Sequence, residues 1–62
     1  MEDKFVGKTL GKDVEIEVIV EEFKCNSYRI IHPDEVITMD YVETRVNICV
    51  DYSNVIERIY IG

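Results

Sequence analysis

The sequence predicts an α+β domain, with one helix packed on a small β-sheet and a long extended loop left exposed. Three observations carry this. In Arg45–Val50, residues Val46, Ile48 and Val50 recur at strand period. Ile16, Ile19, Val20 and Phe23 form a stripe at helical spacing, with Glu15 and Glu22 outside it. Between the apolar runs Tyr28–Ile31 and Arg45–Val50 lies EVITMDY, which is apolar, β-branched and flanked by acids. A plain surface loop is polar and rich in glycine, and this stretch has no glycine.

Taken in order, Met1–Lys4 is a charged lead-in, and Phe5 and Val6 are expected to pack. Gly7 suggests a special backbone angle. Thr9 or Asp13 can cap a helix. The segment Gly11–Lys24 supports two readings. Val14, Ile16, Val18 and Val20 alternate with acids as a strand does, and β-branched content favours that state. The Ile16/Ile19/Val20/Phe23 stripe favours a helix. Cys25-Asn26-Ser27 is a turn, Tyr28–His32 a strand, and Asp51-Tyr52-Ser53-Asn54 a second turn. Val55–Ile61 returns as an edge strand. Alternation puts Val55, Glu57, Ile59 and Ile61 on one face, and Ile56, Arg58 and Tyr60 on the other.

A chain of 62 residues is expected to form a single domain, 1–62, with a thin core. Hydrophobic content of 47% with 32% charged residues argues for folding rather than disorder. A net charge of −6 offers no basic patch to displace counterions, which argues against nucleic acid and anionic membrane as partners. No apolar run is long enough to span a bilayer, and no apolar leader follows MEDK. The expected location is therefore cytosolic, or secreted after removal of a leader. Cys25 and Cys49 are read as free thiols, with a bridge between them as the alternative.

Little here suggests an enzyme or a cofactor. His32 is the only histidine, and neither cysteine lies in a nucleophile motif. One histidine, two separated cysteines and scattered carboxylates give no metal-ligand spacing. Glu15, Glu17, Glu21 and Glu22 read first as a solvated face, and second as a surface for a basic partner. The three glycines stand apart, so no phosphate loop forms.

The residues of the exposed stretch carry a resemblance. Arg29-Ile30-Ile31, Pro33, Thr38-Met39-Asp40-Tyr41 and Arg45-Val46-Asn47-Ile48 follow one another in a set order. This resembles the reactive-loop region of eglin-like serine protease inhibitors of the potato inhibitor I type. It is more similar still to the fungal and bacterial elastase and subtilisin inhibitors grouped as I78. Phe5–Thr9 and Ile59–Gly62 are similar to that family's termini, while the match is weak across Leu10–Ser27. The resemblance implies a helix over Gly11–Lys24 and a potato inhibitor I-like mixed sheet in which Tyr28–His32 runs parallel to Arg45–Asp51. It implies a monomeric, reversible, substrate-like inhibitor whose loop Val36, Ile37, Thr38, Met39, Asp40 and Tyr41 enters a subtilisin-, chymotrypsin- or elastase-type protease. The scissile bond would be Met39–Asp40, with Thr38 and Asp40 held by Arg45 and Asn47. By composition alone Met39 would be a core gap-filler, and Arg45 a solvated charge. The family's usual terminal cysteine bridge is missing, since Tyr60 and Ile61 stand near the end of the sequence. That departure favours the alternative, a non-inhibitory interaction or assembly module on the same fold.

Overall fold

The computed structural model describes residues 4–37 and 40–62. Four elements follow in order: α1 (Ile16–Glu22), β1 (Ser27–Ile31), β2 (Arg45–Val50) and β3 (Ile56–Ile61). The strands form one sheet in the order β1-β2-β3, with β1 parallel to β2 and β3 antiparallel to it. The expected α+β class and mixed sheet are present.

β2 takes the centre because it is the strand that can be buried on both sides. Val46, Asn47, Ile48 and Val50 are all buried. Register sorts the side chains into two faces. On one, Ile48 lies between Ile30 and Ile59, and Val46 lies beside Ile61. This face joins Phe5, Val14 and Ile19 in the core. On the other, Asn47 lies between Arg29 and Tyr60, and Cys49 between Ile31 and Arg58.

The faces of β3 depart from simple alternation. Cys49 pairs with Arg58 but Val50 with Ile56, so one step on β2 spans two on β3. Glu57 is the extra residue of a β-bulge. Ile56 thereby turns to the core with Ile59, where strict alternation would separate them. The edge of β3 is partly covered as well. The Gly7 amide donates to the Ile56 carbonyl (2.9 Å), the Ile56 amide to Lys8 (2.9 Å), and the Leu10 amide to Asn54 (2.8 Å).

The helix is shorter than Gly11–Lys24. Gly11, at φ +86°, opens a tight turn in which the amides of Lys12 and Asp13 donate to the Thr9 carbonyl. The Asp13 carboxylate accepts from the Thr9 amide (3.0 Å), so it closes this turn and caps nothing. Thr9 does not cap either, because the N-cap is Glu15 without a side-chain bond. At the far end Lys24 adopts φ +55°. The Lys24 amide donates to Glu21 and the Cys25 amide to Val20, a pattern that satisfies the last carbonyls and usually recruits glycine. Within these bounds the helical stripe holds, since Ile19 is fully buried while Val18 is 48% exposed. The Phe5 and Phe23 rings meet at 6.4 Å and close the core beneath the helix end.

Cys25 and Cys49 are free thiols. Burial pushes the Cys49 thiol pKa up, which makes it a poor nucleophile.

Ile19→Ala is expected to lose about 2–5 kcal/mol of stability through the cavity it leaves. Val18→Ala, one residue away on the exposed side, is expected to change it by less than about 0.5 kcal/mol. Urea titration of both variants checks the helical assignment directly.

Candidate functional site

β1 ends at Ile31, and its parallel partner starts at Arg45, opposite Ser27. The chain between must travel back along the sheet, and it does so over the Arg29/Asn47/Tyr60 face. Asn47 is 0% exposed although it points away from the apolar core.

The leading limb of this loop begins with a turn. The Glu35 amide donates to the His32 carbonyl (3.1 Å) across Pro33 and Asp34. The Glu35 carboxylate accepts from the His32 amide (2.8 Å) and lies 3.2 Å from His32 Nδ1. These bonds, the backbone one first, hold the Glu35 carboxyl below the usual carboxylate range. His32 is thus a strand-end structural histidine. Asp34 accepts from the Tyr52 hydroxyl at 2.6 Å. Val36 then stands out, 97% exposed, while Ile37 is partly covered. Thr38 and Met39 lie outside the described residues. The chain resumes at Asp40 and at Tyr41, which is 71% exposed.

The base of the loop is built from arginine. Arg45 Nη1 donates to the Asp40 carboxylate (3.3 Å), and Nη2 to the Asp40 carbonyl (3.2 Å). Its Nε donates to the Gly62 carbonyl at 2.7 Å, which fixes the plane of the fork. The Gly62 amide donates back to the Arg45 carbonyl (3.0 Å). A Cβ on Gly62 would stand 3.3 Å from the Tyr41 ring, and φ there is +149°, so glycine lets the ring close over the backbone. A hollow of about 220 Å³ remains between this base and the loop, lined by Arg29, Ile37, Asp40, Tyr41 and Tyr60 among others.

Arg45 meets Asp40. Asn47, among the described residues, bonds within the sheet. Its Oδ1 accepts from Arg29 Nε (3.0 Å) and its Nδ2 donates to the Tyr60 carbonyl (3.4 Å). The second cation near Asp40 is Arg29, whose Nη1 lies 3.9 Å from the carboxylate. Sequence reasoning placed Arg29 in the motif but gave it no role. Its signal was register, because parallel pairing sets Arg29 beside Asn47. Tyr52 and Gly62 had no comparable signal. Among the described residues no group of His, Cys, Asp and Glu could hold a metal ion.

Val36 and Tyr41 thus stand exposed on either side of Asp40 in the chain, with Arg45 and Arg29 under Asp40. The chain belongs to the Peptidase inhibitor I78 family, whose sequence model matches residues 3–62. It is 33% identical over 53 residues to elastase inhibitor AFLEI of Aspergillus flavus, covering 86% of this chain and 78% of that one. Identity is also 33% over 53 residues to elastase inhibitor AFUEI of Aspergillus fumigatus, but the match spans only 61% of that protein's length. The solved structure of elastase inhibitor AFUEI superposes with a TM-score of 0.73 at 24% identity, covering 98% of this chain and 82% of that one. This likeness carries the fold. Family and relatives are inhibitors of peptidases, not enzymes.

Asn47→Ala would leave Arg29 Nε without its acceptor. The expected cost is about 1–3 kcal/mol of stability, the range for a broken buried hydrogen bond. The Arg29 Nε proton should exchange faster with solvent by NMR, while Arg45 Nε is unaffected.

Proposed function

We propose that residues 1–62 act as one inhibitory domain, a monomer that blocks an elastase-, subtilisin- or chymotrypsin-type serine protease by presenting Val36–Tyr41 as a substrate. The observation that carries this is the grip of Arg45 on both the carboxylate and the carbonyl of Asp40.

The mechanism follows from that grip. A serine protease binds an extended peptide by edge pairing and reads its side chains in pockets. Met39 enters the primary pocket, and the protease serine attacks the Met39 carbonyl. The Met39–Asp40 bond breaks, Met39 becomes an acyl ester, and the proton passes to the new Asp40 amine. In an ordinary substrate that amine diffuses away. Here Arg45 holds Asp40 in place, and Arg45 is in turn held by Gly62. The amine therefore stays beside the ester and can re-form the peptide bond. A loop ordered before binding also loses little entropy on docking.

Met39 is unbranched and apolar, which suits pockets for medium apolar side chains. A trypsin-like pocket carries a buried acid that Met39 would leave unpaired. The names of the relatives point the same way, as both are elastase inhibitors.

Titration of elastase and subtilisin with the chain, using a chromogenic substrate, tests the proposal. Stoichiometric loss of activity with any cut confined to Met39–Asp40 is expected. No inhibition of either enzyme would leave a docking module on an inhibitor fold.

Two variants test the roles. Met39→Arg should weaken inhibition of elastase and subtilisin by more than about 10-fold and gain action on trypsin. An unchanged preference would show that Met39 is not the pocket residue. Arg45→Ala should cost about 1–3 kcal/mol of stability, since the bond to Gly62 is lost with the ion pair. It should also turn the inhibitor into a substrate, seen as faster cleavage and recovery of protease activity with time. Durable inhibition by Arg45→Ala would reassign the holding of Asp40 to other groups.

A further inference from the structure

The β2–β3 turn is rigid without help from its tyrosine. Asp51 Oδ1 accepts from the amides of Ser53 (2.8 Å) and Val55 (2.9 Å). The Asn54 amide donates to the Asp51 carbonyl (3.0 Å), and Asn54 takes the left-handed conformation at φ +66°. Tyr52 rides on this turn with its side chain 79% exposed. Its ring buries little, so hydrophobic gain does not account for its position. What the side chain does is reach across to the other loop, where its hydroxyl donates to Asp34 at 2.6 Å. The short distance is that of a charge-assisted bond, and Asp34 pushes the Tyr52 hydroxyl pKa up.

Asp34 sits inside the His32–Glu35 turn, two residues before Val36. The bonds of His32 and Glu35 close that turn on itself but attach it to nothing else. Tyr52 joins it to the rigid β2–β3 turn. The two limbs of the loop are therefore held by separate devices: Arg45 and Arg29 at Asp40, and Tyr52 at Asp34.

We propose that Tyr52 is a positioning residue for the presented loop, acting through Asp34 to fix the direction in which Val36 and the residues after it leave the sheet. This rests on the inhibitor reading for its functional consequence, but not for the anchoring itself. Tyr52→Phe keeps the ring and removes only the hydroxyl. The amides of His32 and Glu35 should then exchange with deuterium about 2- to 10-fold faster, the range that the net worth of one hydrogen bond allows. Amides within β2 and β3 should not change, which separates this role from a general loss of stability. In the presence of subtilisin, cleavage in the loop should accelerate by a similar factor. Asp34→Ala should reproduce both effects. Asp34→Asn, whose amide oxygen still accepts without the charge, should fall between the parent and Asp34→Ala. Tyr52→Phe with Asp34→Ala should be no worse than either alone. Unchanged exchange at His32 and Glu35 in Tyr52→Phe overturns the proposal, whether or not the parent inhibits. Faster exchange in Tyr52→Phe, with a parent that inhibits nothing, would uphold the anchoring and reject the inhibitor reading.

Discussion

Two parallel strands that lie side by side cannot be joined by a tight turn, because the chain leaves one at the wrong end to start the other. β1 and β2 are such a pair. The usual solution is a helix on one face of the sheet. In this chain the helix precedes β1, and it packs on the apolar side. The return path must therefore be made of loop, and it must cross the other face. Much else follows from this constraint. The loop is long because it spans a strand length. It needs polar anchors because the face it crosses is the one that carries Arg29, Asn47 and Tyr60.

Electrostatics then decides where the loop is firm. The chain has 13 acids against 7 lysines and arginines, yet two of its three arginines converge on the single carboxylate of Asp40. Neither arginine is left to find its own direction. Arg45 has its Nε on Gly62, and Arg29 has its Nε on Asn47. A guanidinium with its Nε fixed presents its two outer nitrogens in a set plane, which a lysine cannot do. The Arg45–Asp40 bond is half open to water on the acid's side, where exposed pairs are worth about 0–1 kcal/mol. Its contribution to the fold is thus small beside the apolar core. Its contribution to loop order is a different quantity, because together with Arg29 it fixes the Asp40 end of the loop.

The legible parts of the fold were those written in periodicity. β2 announced itself through Val46, Ile48 and Val50, and the helix through Ile19 and its neighbours. The helix ends were not legible. Asp13 looks like a cap but serves the preceding turn, and Lys24 occupies a left-handed position that sequence rules reserve for glycine. The faces of β3 were misread for a definite reason, since a single bulge at Glu57 shifts Ile56 by one place and no residue type signals it. At the site, Arg45 was found because it follows the loop directly. The Arg29 side chain that pairs with Asn47 was not legible, because it comes from β1. Tertiary partners of that kind depend on register, which a one-residue slip would reverse.

On the proposed mechanism, the loop has to resemble a substrate without behaving as one, and so faces opposed demands. It has to be exposed enough to enter a protease cleft, and Val36 and Tyr41 are exposed. It also has to stay put, which normally requires burial. Burying the loop against the sheet would meet the second demand and defeat the first. The arrangement here separates the two by distance along the chain. Val36 sits between two anchors that lie outside it or act through the backbone: Asp34 on Tyr52 before it, the Asp40 carbonyl on Arg45 after it. A side chain between the anchors can then change without loosening the loop, whereas a change at an anchor loosens it without altering what the loop displays. On that mechanism, specificity and durability are set by different residues.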